Sequence, residues 1–166
     1  MRVYLPATVA MLRRAVAEAG LVPVGGTGFA VTAGLRAEYE GADEEELEYL
    51  AMHDAALASL RLIGGSGGGP AVRVVLAVDD ESAVERGDLD RAAVRLAGRV
   101  PWSAVVSVHL DGGDAEASVR AAADAIDAAD LGDPDAAVVV GDAEDIDLAW
   151  YAPDEIGYLL AELGPE

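Results

Sequence analysis

The sequence is unusual for what it lacks. It has no cysteine and no lysine, and only two histidines among 166 residues. The absence of cysteine excludes disulfides, thiolate nucleophiles and zinc sites built on sulfur, and it fits a reducing cytoplasm. The absence of lysine excludes the phosphate loop of the G-x-x-x-x-G-K-[ST] type. The glycine-rich stretch "GGTGFAVT" (25–32) therefore predicts a flexible turn, and no cofactor is predicted.

Long apolar runs are also missing. No uncharged stretch approaches the roughly 20 residues that a membrane helix needs, so we expect a soluble, cytoplasmic protein. The length and the 52% apolar composition suit one hydrophobic core. We therefore predict a single domain over residues 1–166, with "GGSGGG" (64–69) as a flexible surface loop, because glycine has no side chain to bury.

Negative charge is the main bulk feature that is present. The chain carries 31 acids against 11 arginines, and residues 111–166 alone carry sixteen acids against Arg120. Such a field repels phosphate backbones and anionic lipid, so neither nucleic acid nor membrane is expected as a partner. A basic protein partner fits the charge. Plain solubility and adaptation to high salt are the alternative explanations.

Helix signals recur along the chain. Thr8 and Thr32 can each cap a helix, and Asp43 with Glu46 forms the pattern of a capping box. Pro153, followed by two acids, is typical of a helix start. The apolar spacing then predicts a short helix from Thr32 to about Tyr39 and four longer ones, at 8–19, 43–62, 114–130 and 153–163.

Strand signals lie between these helices. Pro6 is expected to end the first strand. The predicted strands are "RVYL" (2–5), "FAVT" (29–32), "VRVVLAV" (72–78), "AAVRLAG" (92–98), "AVVSVHL" (104–110), "AAVVV" (136–140) and "DLAWYA" (147–152). The mixture predicts an α/β or α+β fold with a single central mixed sheet flanked by helices.

One strand carries a possible chemical pair. His109 and Asp111 project from the same face of a strand and could bind a metal, or act as a base and its orienting carboxylate. Because Val106, Val108 and Leu110 occupy the opposite, apolar face, the sequence favours a surface histidine beside Ser107 on the wetter face. The other histidine, His53, is interpreted as a residue on the flank of a helix.

The acids at 142–147 form a second candidate site. An EF-hand loop starting at Asp142 fails, because Pro153 stands where the twelfth-position glutamate is needed. A looser magnesium site built from Asp142, Glu144, Asp145 and Asp147 competes with the interpretation of a charged, solvated loop. The candidate metal ligands are thus His109, Asp111, Asp142 and Asp145, and no catalytic residue is predicted.

Several sequence blocks together resemble a known family. The blocks are "MRVYLPATVAMLRRAV", "FAVT", "DEEELEYLAMHDAALASLRL", "VPWSAVVSVHLD" and "GDAEDIDLAWYAPDEIGYLL". They resemble a family of short, uncharacterised actinobacterial proteins. The resemblance implies a cytoplasmic bacterial protein, and it implies no activity, cofactor or catalytic residue.

Two classes of function follow from these observations. The first is a noncatalytic acidic module that binds a basic protein, because no complete catalytic constellation is found in the sequence. The second is a small-molecule or metal-binding enzyme with a pocket near His109, Asp111 and the strand of Trp150. In that case Tyr4 and Tyr151 would have to converge on the same place.

Overall fold

The computed structural model describes residues 1–164 and shows an α+β fold. The strands are β1 (Arg2–Ala7), β2 (Gly20–Leu21), β3 (Thr27–Phe29), β4 (Val74–Asp79), β5 (Val84–Glu85), β6 (Ala93–Arg95), β7 (Val100–Pro101), β8 (Val105–Leu110) and β9 (Ala149–Tyr151). The α-helices are α1 (Val9–Ala17), α2 (Ala33–Glu38), α3 (Glu44–Gly65), α4 (Glu116–Asp130), α5 (Pro134–Glu144) and α6 (Ile156–Glu162).

Seven strands form the central sheet, in the order β5-β6-β3-β1-β4-β8-β9. Every neighbouring pair is antiparallel, so the α+β alternative is confirmed and the expected mixed sheet is wrong. Strands β2 and β7 form a separate two-stranded ribbon. Strand β1 pairs with β4 at six successive positions, which joins the segments before and after the glycine-rich loop in one sheet.

Both faces of the sheet are covered by helices. On one face, Val3 and Leu5 of β1 pack in a core shared with α1 and α6. On the other face, Tyr4 and Val75 pack in a core shared with α2 and α3. Helices α4 and α5 form a third core with α3, centred on buried residues such as Ile126. Residues on either face of a central strand are therefore buried.

The predicted helix starts are confirmed where a side chain caps the backbone. The Thr8 hydroxyl accepts from the amide of Met11 at 3.2 Å, and Asp43 and Glu46 form a complete capping box. Helix α3 continues past its predicted end, through Gly64 and Gly65. A Cβ atom at Gly64 would lie 2.7 Å from the carbonyl oxygen of Ala123 on α4, so glycine here permits the close approach of two helices.

The segment "AAVVV" is a helix, and its prediction as a strand is wrong. It lies inside α5, which begins with Pro134 in its first turn. The Asp133 side chain accepts from the amides of Asp135 at 2.9 Å and Ala136 at 3.2 Å, which satisfies two amides that the helix itself leaves free. The start signal was therefore present in the sequence, but five consecutive apolar residues suit a short strand equally well.

Two strand boundaries also differ from the prediction. Strand β1 runs through Pro6, which pairs in register with Val75, so the expected break at Pro6 is wrong. On its other side β1 pairs with β3 only at Tyr4, so there is little ladder for the missing proline amide to interrupt. Strand β3 lies earlier than "FAVT", and Gly28 fits against Val3 because it has no Cβ.

The cap of α5 gives a stability prediction. Replacing Asp133 by alanine should lower the free energy of unfolding by about 1 kcal/mol, because two helix amides lose their acceptor. Urea denaturation monitored by circular dichroism measures the change. Asp124→Ala on the exposed face of α4 is the matched control and should change stability by less than about 0.5 kcal/mol. Equal effects of the two substitutions would contradict the capping role.

Candidate functional site

His109 and Asp111 lie on one face of the chain, as the strand spacing predicts, but this face is not wet. Ser107 and Asp111 are both buried, so the expected wetter face is wrong. The sheet is covered on this side too, a feature that alternation along one strand cannot reveal. The ring of His109 contacts Ser107, with 2.9 Å between Nε2 and Oγ. Burial lowers the pKa of His109 below its ordinary value, which favours the neutral form of the ring.

Asp111 is held by a buried arginine. The Arg73 guanidinium donates to both Asp111 oxygens, at 2.7 and 3.0 Å, and the Arg73 backbone amide donates at 2.7 Å. Both side chains are almost completely buried, at 4% and 0% exposure. The same guanidinium donates to the Ile146 carbonyl at 2.9 Å. Asp111 thus anchors the connection between α5 and β9, and its oxygens are committed to Arg73.

Two further contacts hold this connection against α3. His53 lies 2.7 Å from a Glu144 oxygen, and the Tyr49 hydroxyl donates to Asp147 at 3.1 Å. The hydrogen bond to Asp147 is the main cause of the raised pKa of Tyr49. We call Tyr49, His53, Arg73, Glu144 and Asp147 the docking cluster. Its members span almost 100 positions of sequence, so the pairings could not be read from local patterns.

The docking cluster leaves little free space. The cavity that it lines has a volume of about 20 Å³, close to the space that one water needs and far below that of a small-molecule site. Tyr49 pairs with Asp147 and His53 with Glu144 beside this cavity, while Arg73 binds Asp111 and the Ile146 carbonyl. The arrangement is suited to holding α5 and β9 in place, and it provides no room for a substrate.

The other residues named for an enzyme pocket lie apart. Tyr4 is buried in the core beneath α3, and burial raises its pKa to about 12. Tyr151 packs against the opposite core, whereas Trp150 is 61% exposed. Strand β9 lies within the predicted strand "DLAWYA" and is the last strand in the sheet order, with Trp150 in register with His109. Tyr4, Trp150 and Tyr151 therefore do not converge on one pocket.

The candidate ligands Asp142 and Asp145 lie at the end of α5. Both are exposed, Asp142 in the last turn and Asp145 at the C-cap, so the expected charged loop is a helix end. No group of three or more histidine, aspartate or glutamate side chains in residues 1–164 is arranged to hold a metal ion. The two carboxylates instead face the negative end of the helix dipole, which is unfavourable for an acid.

A family model for a family of unknown function, DUF6912, matches residues 1–160. The chain belongs to this family. No curated protein and no solved structure matches the sequence. The match to DUF6912 covers nearly the whole chain, and it supplies no activity. Within residues 1–164, no helix is long and apolar enough to cross a membrane.

The end of α5 provides a test of metal binding against plain charge. Replacing Asp142 and Asp145 together by asparagine should raise the free energy of unfolding by about 0.5 kcal/mol, because two acids leave the negative end of a helix. Asp124→Asn removes a charge from the middle of α4 and should have a smaller effect. Thermal melts with and without magnesium or calcium are the measurement.

A bound cation would give a different pattern. Magnesium or calcium would raise the melting temperature of the unchanged protein by mass action, and the double substitution would abolish the rise. We expect only the weak response that a highly acidic protein gives to any divalent ion. Saturable binding of magnesium or calcium in the micromolar range, measured by calorimetry and lost in the double variant, would contradict this expectation. Asp142 and Asp145 would then be metal ligands and not only charges at the end of a helix.

Proposed function

We propose that this chain is a noncatalytic interaction protein that binds a basic protein through its acidic C-terminal third. The observation that carries the proposal is the distribution of ion pairs. Within residues 1–164, carboxylates of the same chain pair with seven of the eleven arginines, namely Arg2, Arg36, Arg61, Arg73, Arg86, Arg91 and Arg120. Most of the arginines are thus paired with carboxylates of the same protein.

The remaining acids are concentrated where few arginines reach. In residues 111–164, Arg73, Arg61 and Arg120 pair with Asp111, Asp130 and Glu116. Exposed acids of this part that pair with no arginine among the described residues are Asp114, Asp124, Asp127, Asp133, Asp135, Asp142, Asp145, Asp147, Asp154, Glu155 and Glu162. These carboxylates repel one another, and a cationic surface brought against them relieves that repulsion.

The interior polar groups support a noncatalytic role. Asp111 is committed to Arg73, and His109 contacts Ser107 and not the carboxylate that would orient it. The polar side chains of the docking cluster are engaged within the protein, beside a cavity of only about 20 Å³. The acidic exterior is therefore the surface best suited to a partner.

We extend the proposal to the setting of the protein. A chain without lysine but rich in alanine, glycine and arginine is typical of a GC-rich genome, which supports an actinobacterial origin. The absence of cysteine supports a cytoplasmic location. The negative field supports a protein partner over nucleic acid or an anionic membrane.

Calorimetric titration with an eight-residue arginine peptide tests the charge of the partner. At 150 mM NaCl we expect saturable binding that weakens at 500 mM NaCl, and no binding of an eight-residue glutamate peptide. Replacing three acids of the C-terminal third, D142N/D145N/D154N, should weaken binding about tenfold, since three exposed ion pairs at about 0.5 kcal/mol each sum to about 1.5 kcal/mol.

The matched control removes the same charge elsewhere. The variant E18Q/E40Q/E45Q also loses three exposed acids, all of them outside the C-terminal third, and should bind within about twofold of the unchanged protein. Equal loss in both triple variants would show nonspecific attraction to net charge. Either that result or no binding of the arginine peptide at 150 mM NaCl would overturn the proposal.

A further inference from the structure

The sheet has an open edge inside the acidic third. Strand β9 is the last strand in the sheet order, with β8 on one side and no strand of residues 1–164 on the other. An edge strand presents unpaired amides and carbonyls that another strand can bind. Ala149 and Trp150 are exposed, and Pro153 ends the strand soon after. The edge is therefore short and carries one large aromatic ring.

Trp150 gives this edge strand a large apolar side chain that is exposed to solvent. Its side chain is 61% exposed although its strand neighbours Leu148 and Tyr151 pack against the two cores of the sheet. An exposed indole beside an open strand offers apolar contact to the residue opposite, and its face attracts a guanidinium or ammonium group. The docking cluster holds the connection that leads from α5 into β9.

The charge around β9 discriminates between possible occupants. Exposed acids lie on both sides of the strand, Asp145 and Asp147 before it and Asp154 and Glu155 after it. Strand β9 covers only Ala149–Tyr151, with Asp145 at the C-cap of α5 before it and Glu155 in the turn that follows Pro153. Pairing of β9 between two copies would bring these like-charged flanks together, and like charges repel. A cationic strand meets opposite charge at both ends of the same edge.

We propose that the open edge of β9 binds a short, extended, basic segment of another protein as an added strand. Backbone hydrogen bonds to β9 hold the segment, Trp150 packs against the side chain opposite it, and Asp145 and Asp154 pair with its cationic residues. This inference rests on the proposed function and names the surface and the form of the partner.

The test uses a peptide that can form a strand. The probe is an acetylated, amidated peptide of three Arg-Val repeats. Two control peptides have the same length: in one a central valine is replaced by proline, and the other consists of three Glu-Val repeats. We expect the Arg-Val peptide to bind at 150 mM NaCl and to shift the amide resonances of Ala149–Tyr151. The proline and Glu-Val peptides should bind at least fivefold more weakly.

Variants locate the contact. Trp150→Ala and the double variant D145N/D154N should each weaken binding of the Arg-Val peptide about fivefold. The control E18Q/E40Q removes the same charge from exposed positions outside the C-terminal third and should leave binding within about twofold. Circular dichroism melts of each variant confirm that the fold is retained.

The outcomes separate this inference from the function on which it rests. Equal binding of the Arg-Val and proline peptides, or undiminished binding of the Arg-Val peptide by Trp150→Ala, would overturn strand addition and leave the acidic interaction protein standing. No binding of any basic peptide would overturn both. A dimer in sedimentation velocity that Trp150→Ala converts to monomer would assign the edge to a second copy and overturn the basic partner.

Discussion

The buried ion pair between Arg73 and Asp111 is the interaction on which the rest of the structure depends. Removing two charges from water costs several kcal/mol per ion, and this cost is offset only when every polar group finds a partner. Here the Asp111 oxygens receive two guanidinium bonds and one backbone amide, while Arg73 also binds the Ile146 carbonyl. The start of β4, the chain leaving β8 and the connection into β9 are thereby fixed to one another.

This pair divides the acids into two kinds. Asp111 is an interior residue whose charge organises the fold. Arg73 is buried with it and therefore adds no positive charge to the surface. Exposed acids such as Asp145 and Asp154 pair with no arginine among residues 1–164, so they remain available to a partner. The carboxylates thus include one that holds the connection into β9, through Arg73, and many that give the exterior its negative field.

Local signals in the sequence were sufficient for most of the fold. Thr8 and the Asp43–Glu46 box act over three residues, so their helices could be predicted without tertiary information. Helix α5 was missed because its apolar run overrode the start signal at Asp133. The candidate site was harder to predict from the sequence. Arg73 and Asp111 are 38 positions apart, so no local pattern joins them. Only the folded chain shows that both faces of β8 are covered.

The free energy of unfolding of Asp111→Ala tests the central role of the buried pair most directly. Urea denaturation should show a loss of about 3–5 kcal/mol, because Arg73 is left buried without its counter-charge. Asp114→Ala is the matched control, since Asp114 is exposed only three residues further on, and its loss should stay below about 0.5 kcal/mol. A loss for Asp111→Ala no larger than that of the control would contradict the view that this ion pair holds the sheet and β9 together.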